Sequence, residues 1–230
     1  MNVLTPLQRD FLYSFFAQPA SAPFALTGGT ALAAFHLHHR VSEDVDLFAV
    51  APLHDDELKY CEVLDFGQRA ALATGLSIRA MCEHREPTML FHQVFLTRSN
   101  EPRLKIDMVR DPGPLFGEVL AFDGIRVQSV LDIAVGKVTA VLGRLAARDY
   151  VDLYFLLQSG FEFERLLELA KQKDLGLNEF YLGQAMKAVE KLSLADMPKM
   201  IKPIDLDEMK QFFVALAEDR VQRVNPEQWQ

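Results

Sequence analysis

The stretch TGGTALAAFHLHHRVSEDVDLF, Thr27 to Phe48, decides how the chain is read. Gly28 and Gly29 stand before an apolar helical run, although glycine raises the entropy cost of ordering a backbone. Asp44 and Asp46 then stand two residues apart in a segment that reads as a strand, Glu43 to Val50. Alternate strand residues point to one side, with Cα atoms roughly 6.5 Å apart. The two carboxylates repel unless something cationic sits between them. Val45 and Leu47 point the other way, into a core. A glycine turn opening a helix offers unpaired amides to phosphate oxygens, and paired carboxylates suit a hard divalent cation that also takes phosphate ligands. A polyphosphate with its metal explains both costs. Thr30 adds a hydroxyl donor, and Arg40 and Ser42 precede the acids within reach of phosphate.

Working outward, Thr5-Pro6-Leu7-Gln8 is a helix start, with Thr5 as cap, Pro6 at the first position and Gln8 closing the box. Phe24-Ala25-Leu26 is a short buried strand, and Thr30 to His38 a helix. Asp55 to Thr74 reads as a helix with an acidic entrance. Strand candidates follow at Leu76–Cys82, Thr88–Thr97 and Arg103–Val109. In the last, Arg103, Lys105 and Asp107 alternate with Leu104, Ile106 and Met108, so Asp107 is placed to join the two acids from a neighbouring strand. Ile125–Gln128 is a short edge strand. After Ser129 strand signals stop. Helices are expected at 130–146, 148–158, 162–171, 178–191 and 205–219. The expected fold is α+β: a mixed β-sheet with helices over 1–128 and an all-α part over 129–230. The tail 221–230 is expected to fray.

The bulk numbers restrict function. The chain has 230 residues, net charge -8 and pI near 5.3, which argues against a broad basic surface for nucleic acid. Two cysteines, Cys61 and Cys82, read as reduced thiols of a cytoplasmic protein. The N-terminus lacks the basic region of a signal peptide, and no apolar run approaches a membrane span. His36, His38 and His39 lack the i, i+4 spacing of a zinc site.

The second part offers KVTAVLGRLAARDYVDL, Lys137 to Leu153. On one unbroken helical wheel Lys137, Arg144, Arg148 and Asp152 share a face. That face is either a basic stripe for triphosphate or an ordinary salt-bridged surface.

Taken in order, GGTAL, then R-x-S-x-D-x-D-L-F, a later strand aspartate, and K-x-x-A followed by R-D-x-x-D-L resemble the AbiEii/AbiGii toxin family. That family belongs to the nucleotidyltransferase superfamily with the DNA polymerase β-type fold. The resemblance covers roughly residues 24 to 158. It implies that Gly28, Gly29 and Thr30 match the nucleotide-binding turn, Asp44 and Asp46 the metal-binding pair, and Asp107 the third carboxylate. Lys137 matches the nucleotide-contacting lysine, and Arg148, Asp149 and Asp152 the last motif. The implied cofactor is Mg²⁺ or Mn²⁺ and the implied substrate an NTP. The implied acceptor is an RNA or tRNA end or a protein, and the implied partner a cognate antitoxin. Two other readings compete: a non-catalytic nucleotide- or partner-binding member, and an enzyme that modifies a small molecule.

Overall fold

The computed structural model describes residues 3–50, 91–98, 102–111 and 113–223. The expected helix 55–74, the strand 76–82, both cysteines and the tail from 224 lie outside them. The chain separates into two compact units, Met1–Val130 and Leu131–Gln230.

The first unit begins with α1, Pro6–Phe16. Its box closes as the sequence requires: Gln8 N–H donates to Thr5 Oγ1 at 3.2 Å, and Thr5 N–H donates to Gln8 Oε1 at 2.9 Å. Leu7, Phe11 and Phe15 recur every four residues and are buried with Leu12, so one helical face supplies apolar area. Each such side chain contributes about 1.5–3 kcal/mol on burial.

Six strands follow: β1 Phe24–Thr27, β2 Val45–Ala49, β3 Phe91–Leu96, β4 Leu104–Arg110, β5 Leu120–Phe122 and β6 Ile125–Val127. They form one sheet in the order β3-β4-β2-β1-β6-β5. The pairs β1–β2, β3–β4 and β5–β6 are antiparallel; β2–β4 and β1–β6 are parallel. The sheet is therefore mixed. Central β1 is buried along its whole length, as a strand covered on both faces must be. In β2 and β4 the burial alternates. Val45, Leu47, Leu104, Ile106 and Met108 turn inward, while Asp46, Lys105 and Asp107 turn to the other face.

Two expectations are corrected. Ile125–Val127 is an interior strand, because β5 pairs outside it. Asp123 and Gly124, at φ 47° and 84°, make the two-residue turn that Asp-Gly favours between antiparallel strands. The helix after β1 starts at Gly28 rather than Thr30. Its first turn, Gly28–Ala31, is α-helical and Leu32–Leu37 is a π-helical continuation; together they are α2. His38 ends it in the left-handed region at φ 52°.

The second unit is all-helical: α3 Val130–Gly143, α4 Ala147–Gln158, α5 Phe163–Lys173, α6 Glu179–Lys187 and α7 Leu206–Arg223. Tyr150 is fully buried against Phe213, rings 5.3 Å apart and perpendicular. Its hydroxyl donates to Ala185 O at 2.6 Å. Burial, and then the Asp149 charge, push the phenol up to about 12, so it remains a donor. Asn178 caps α6 by accepting from Phe180 N–H at 2.9 Å. Buried Arg220 of α7 forks onto the Glu164 carboxylate of α5. Among the described residues no helix is long and apolar enough to cross a membrane.

Candidate active site

The site is built on the end of β1, the start of β2 and the middle of β4. Strand register places Thr27 opposite Asp46, Asp46 opposite Asp107, and Asp107 opposite Gln93. One row across four strands therefore carries two of the three acids. The third, Asp44, comes just before β2.

Gly28 lies directly beneath Asp46. A Cβ built on Gly28 would stand 2.1 Å from Asp46 Oδ2 and 2.8 Å from its Cγ. The backbone there is at φ 65°, which disfavours any side chain. Gly29 is as tight: its Cβ would meet Arg40 Nη2 at 2.3 Å and Ser42 Oγ at 3.0 Å. Glycine is thus favoured at position 28 by both backbone conformation and close approach, and at position 29 by close approach alone. It brings the turn's backbone against a carboxylate on one side and a buried guanidinium on the other. Thr30 is buried, and its hydroxyl donates to Asp44 O. Arg40, 2% exposed, donates from Nη1 to Val41 O at 2.9 Å. Gly28, Gly29, Thr30, Arg40, Ser42, Asp44, Asp46 and Asp107 are all gathered within the first unit. Gly28→Ala is expected to move the Asp46 carboxylate and, if the turn and the acid serve a metal-bound NTP, to lower its binding by about 100-fold. Calorimetric titration with Mn·NTP checks this, and unchanged affinity would show that the close approach is incidental.

Three further residues complete the site, and sequence reasoning did not assign them to it. Lys105 Nζ lies 3.1 Å from Asp44 Oδ2 and 2.9 Å from Asp107 Oδ2. Burial by itself lowers the Lys105 pKa; the hydrogen bonds and charges of Asp107, then Asp44, more than offset it and hold it above its usual value. Gln93 Nε2 donates to Asp107 Oδ1 at 2.7 Å, which fixes the carboxylate plane. Gln8, fully buried, does more than close its helix box: Nε2 donates to Ser42 O at 2.9 Å and, longer, to Asp44 O at 3.5 Å. It ties α1 to the loop that carries Asp44. The alternation of Lys105 with Asp107 was the signal for the first; nothing local marks Gln93 or Gln8.

In the second unit, Lys137 and Asp152 do come together, but not along one continuous helix. Residues 144–146 interrupt the run between α3 and α4, so the single-wheel argument fails and the two residues meet across the break. Lys137 Nζ lies 2.8 Å from Asp149 Oδ1 and 2.7 Å from Asp152 Oδ2. Arg144 Nε reaches Asp149 Oδ2 at 2.7 Å. Both aspartate side chains are 0% exposed and that of Lys137 is 8%. Burial opposes the charge on Lys137, yet Asp152 and Asp149 hold its pKa above normal. Burial likewise opposes the Asp149 charge, and Lys137 with Arg144 holds that carboxyl below normal. Arg148 is exposed. An ammonium has three N–H donors, and the carboxylates take two of them.

A hard divalent cation fits the donor set of the first unit. The donors are carboxylate oxygens, and two of them already close on one cation, the Lys105 ammonium. Among the described residues no three acidic, histidine or cysteine side chains form a ready cage.

None of the curated proteins compared with the chain matches it. Among solved structures it is similar to JHP933 from Helicobacter pylori, at 20% identity and a TM-score of 0.57, covering 95% of this chain and 90% of that one. It is also similar to MenT4, a nucleotidyltransferase toxin from Mycobacterium tuberculosis, at 16% identity and a TM-score of 0.61, covering 96% and 84%. At these identities the likeness establishes the shared α+β fold. The family model described as nucleotidyl transferase AbiEii toxin, type IV toxin–antitoxin system, matches residues 10–230. With that match over nearly the whole length, the chain belongs to the AbiEii family of nucleotidyltransferase toxins.

Proposed function

We propose that this nucleotidyltransferase moves a nucleoside monophosphate from an NTP to an acceptor hydroxyl, with Mg²⁺ or Mn²⁺ held by Asp44, Asp46 and Asp107. The observation that carries the reading is the approach of Gly28 to Asp46. A Cβ on Gly28 would overlap the carboxylate. A triphosphate lying on the turn would therefore have its phosphates next to the acid that holds their counter-ion. Backbone amides at Gly29 and Thr30 suit phosphate oxygens, and buried Arg40 and Ser42 line the far side of the turn. The metal, when bound, neutralises phosphate charge and lowers the pKa of an acceptor hydroxyl.

In the transfer, the acceptor oxygen bonds to the α-phosphorus, the bond from that phosphorus to the bridging oxygen breaks, and pyrophosphate leaves. The hydroxyl proton goes to a base. For Asp107 that role is the alternative to metal binding: Gln93 holds one of its oxygens and the other takes the proton. Lys137, Arg148 and Asp152 stay in the reading as nucleotide contacts, through the third Lys137 N–H and the Arg148 guanidinium. The acceptor is an RNA end, a tRNA acceptor end first, or else a protein hydroxyl. The protein acts in the cytoplasm and is held in check by a cognate antitoxin, in keeping with a toxin–antitoxin family.

Label transfer tests this. Wild type is incubated with each α-labelled NTP, Mg²⁺, total RNA and cell lysate. Label on one RNA or protein band, from one preferred NTP, is expected. No labelled band from any of the four, with Mg·NTP still bound, would replace the macromolecular acceptor by a small molecule. No binding at all would overturn the catalytic reading.

A further inference from the structure

Between Asp44 and Asp107 stands a cation that the chain supplies itself. The β2–β4 register pairs Val45 with Ile106 and Asp46 with Asp107; continued one residue back, it sets Lys105 opposite Asp44. Lys105 and Asp107 are alternate residues of β4, so they rise from the same face. The ammonium bonds one oxygen of each acid, at 3.1 and 2.9 Å. With Asp107 Oδ1 already held by Gln93, Oδ2 is the Asp107 oxygen left to a divalent ion, and the ammonium sits on it. An ammonium and a divalent ion repel at that range, so both cannot hold the same oxygens.

Lys105 is placed to leave. Its side chain is 27% exposed, and a lysine stem is long and flexible. Lys137, by contrast, is 8% exposed and clamped by two buried acids. When Lys105 leaves, Gln93 still holds Asp107 through the other oxygen, so the carboxylate keeps its orientation. The cost of leaving is the loss of two ionic partners. A bare divalent ion offers the ammonium nothing in return, whereas a triphosphate offers a new anion.

Resting on the reading of Asp44, Asp46 and Asp107 as the metal site, we infer that Lys105 is a resident counter-ion that a divalent cation must displace, and that the displaced ammonium then pairs with the triphosphate. Lys105 thereby makes metal and nucleotide bind together: metal alone binds weakly because it must evict a cation, and metal with triphosphate binds well because the evicted cation finds a partner. Such coupling is reciprocal. Before nucleotide arrives, the same ammonium holds like charges together that would otherwise repel.

The experiment uses the full chain, with Mn²⁺ alone and Mn²⁺ with inorganic tripolyphosphate as probes, since the latter carries no base and cannot donate a nucleotide. Bound Mn²⁺ is read from its paramagnetic resonance signal and Mn·tripolyphosphate affinity by calorimetry. Lys105→Met is expected to bind Mn²⁺ alone about tenfold tighter and Mn·tripolyphosphate about tenfold weaker. Lys105→Arg, which keeps the charge, is expected to stay near wild type in both. A merely structural role for Lys105 would not move the two affinities in opposite directions. Lys105→Gln repeats the comparison should the methionine variant lose its circular dichroism. If Mn²⁺ binding depends on Asp46 but is no tighter without Lys105, the counter-ion inference fails and the metal site stands. If Asp46→Asn binds Mn²⁺ as wild type does, the metal-site reading itself fails.

Discussion

Asp46→Asn is expected to lower nucleotidyl transfer by about a thousandfold or more while the protein stays folded. Asparagine has the same shape and leaves the contact with Gly28 in place. What it removes is one negative charge at the point where the glycine turn, β2 and β4 converge. Asp46 is flanked in register by Thr27 and Asp107, so the substitution also removes a like-charge neighbour of Asp107. Stability is therefore expected to be unchanged or slightly higher, since directly opposed like charges on a sheet are destabilising. The pairing of lost transfer with retained stability separates a functional acid from a structural one. Transfer rates with the acceptor band found by labelling, alongside a urea midpoint, check both halves. A variant that keeps its transfer rate would remove Asp46 from the chemistry.

Lys137→Met is expected to destabilise the second unit by about 3–5 kcal/mol. Asp149 and Asp152 have no exposed side-chain surface, and Arg144, which bonds Asp149, is itself half-exposed. Without the ammonium two buried carboxylates lose their shared cation. Replacing all three charges, Lys137→Met with Asp149→Asn and Asp152→Asn, is expected to recover most of that loss, because a neutral cluster leaves no charge buried alone. Urea denaturation of the three proteins checks this, and a single substitution costing under 1 kcal/mol would contradict it. The folded triple variant also tests the proposed nucleotide role of this cluster, since its NTP affinity falls only if Lys137 or Asp152 contacts nucleotide. The pH dependence follows from the two shifts. Lys137 is raised above its ordinary 10.5, so its contribution is full below that value and lost as pH rises through the higher folded one. Asp149 is lowered below its ordinary 3.8, so its contribution is full above that value and lost as pH falls through the folded one. The cluster is at full strength across the neutral range and weakens at both extremes.

Most of the candidate site was legible because its signals are local. Gly28-Gly29 before an apolar run, and Asp44-Val45-Asp46 with its inward valine, each state their geometry within a few residues. Asp107 was legible from alternation along β4, and the parallel register then put it beside Asp46. The parts that were missed depend on long-range pairing. Gln8 reaches Ser42 across thirty-four residues of sequence, and Gln93 meets Asp107 only because β3 folds back on β4. Lys105 was read as one polar residue of an amphipathic strand; only the register shows it facing Asp44. The second unit shows the opposite failure. A wheel drawn through residues 137–152 gave a plausible stripe, but the chain breaks helix at 144–146, and the charges close on one another in a buried cluster. The edge strand β5 carried a short-range mark, Asp123-Gly124, whose meaning as a hairpin turn depends on two three-residue strands too short to show a pattern of their own.

The account rests on the claim that the acids beside the glycine turn hold a metal-bound nucleotide. The most direct test is equilibrium binding of the four α,β-methylene nucleoside triphosphates, which cannot be cleaved, to wild type and to Asp46→Asn, with Mn²⁺ and with a chelator. The account expects at least one of the four to bind wild type only when Mn²⁺ is present, and expects that binding to disappear in Asp46→Asn. Binding that is indifferent both to Mn²⁺ and to Asp46 would contradict it.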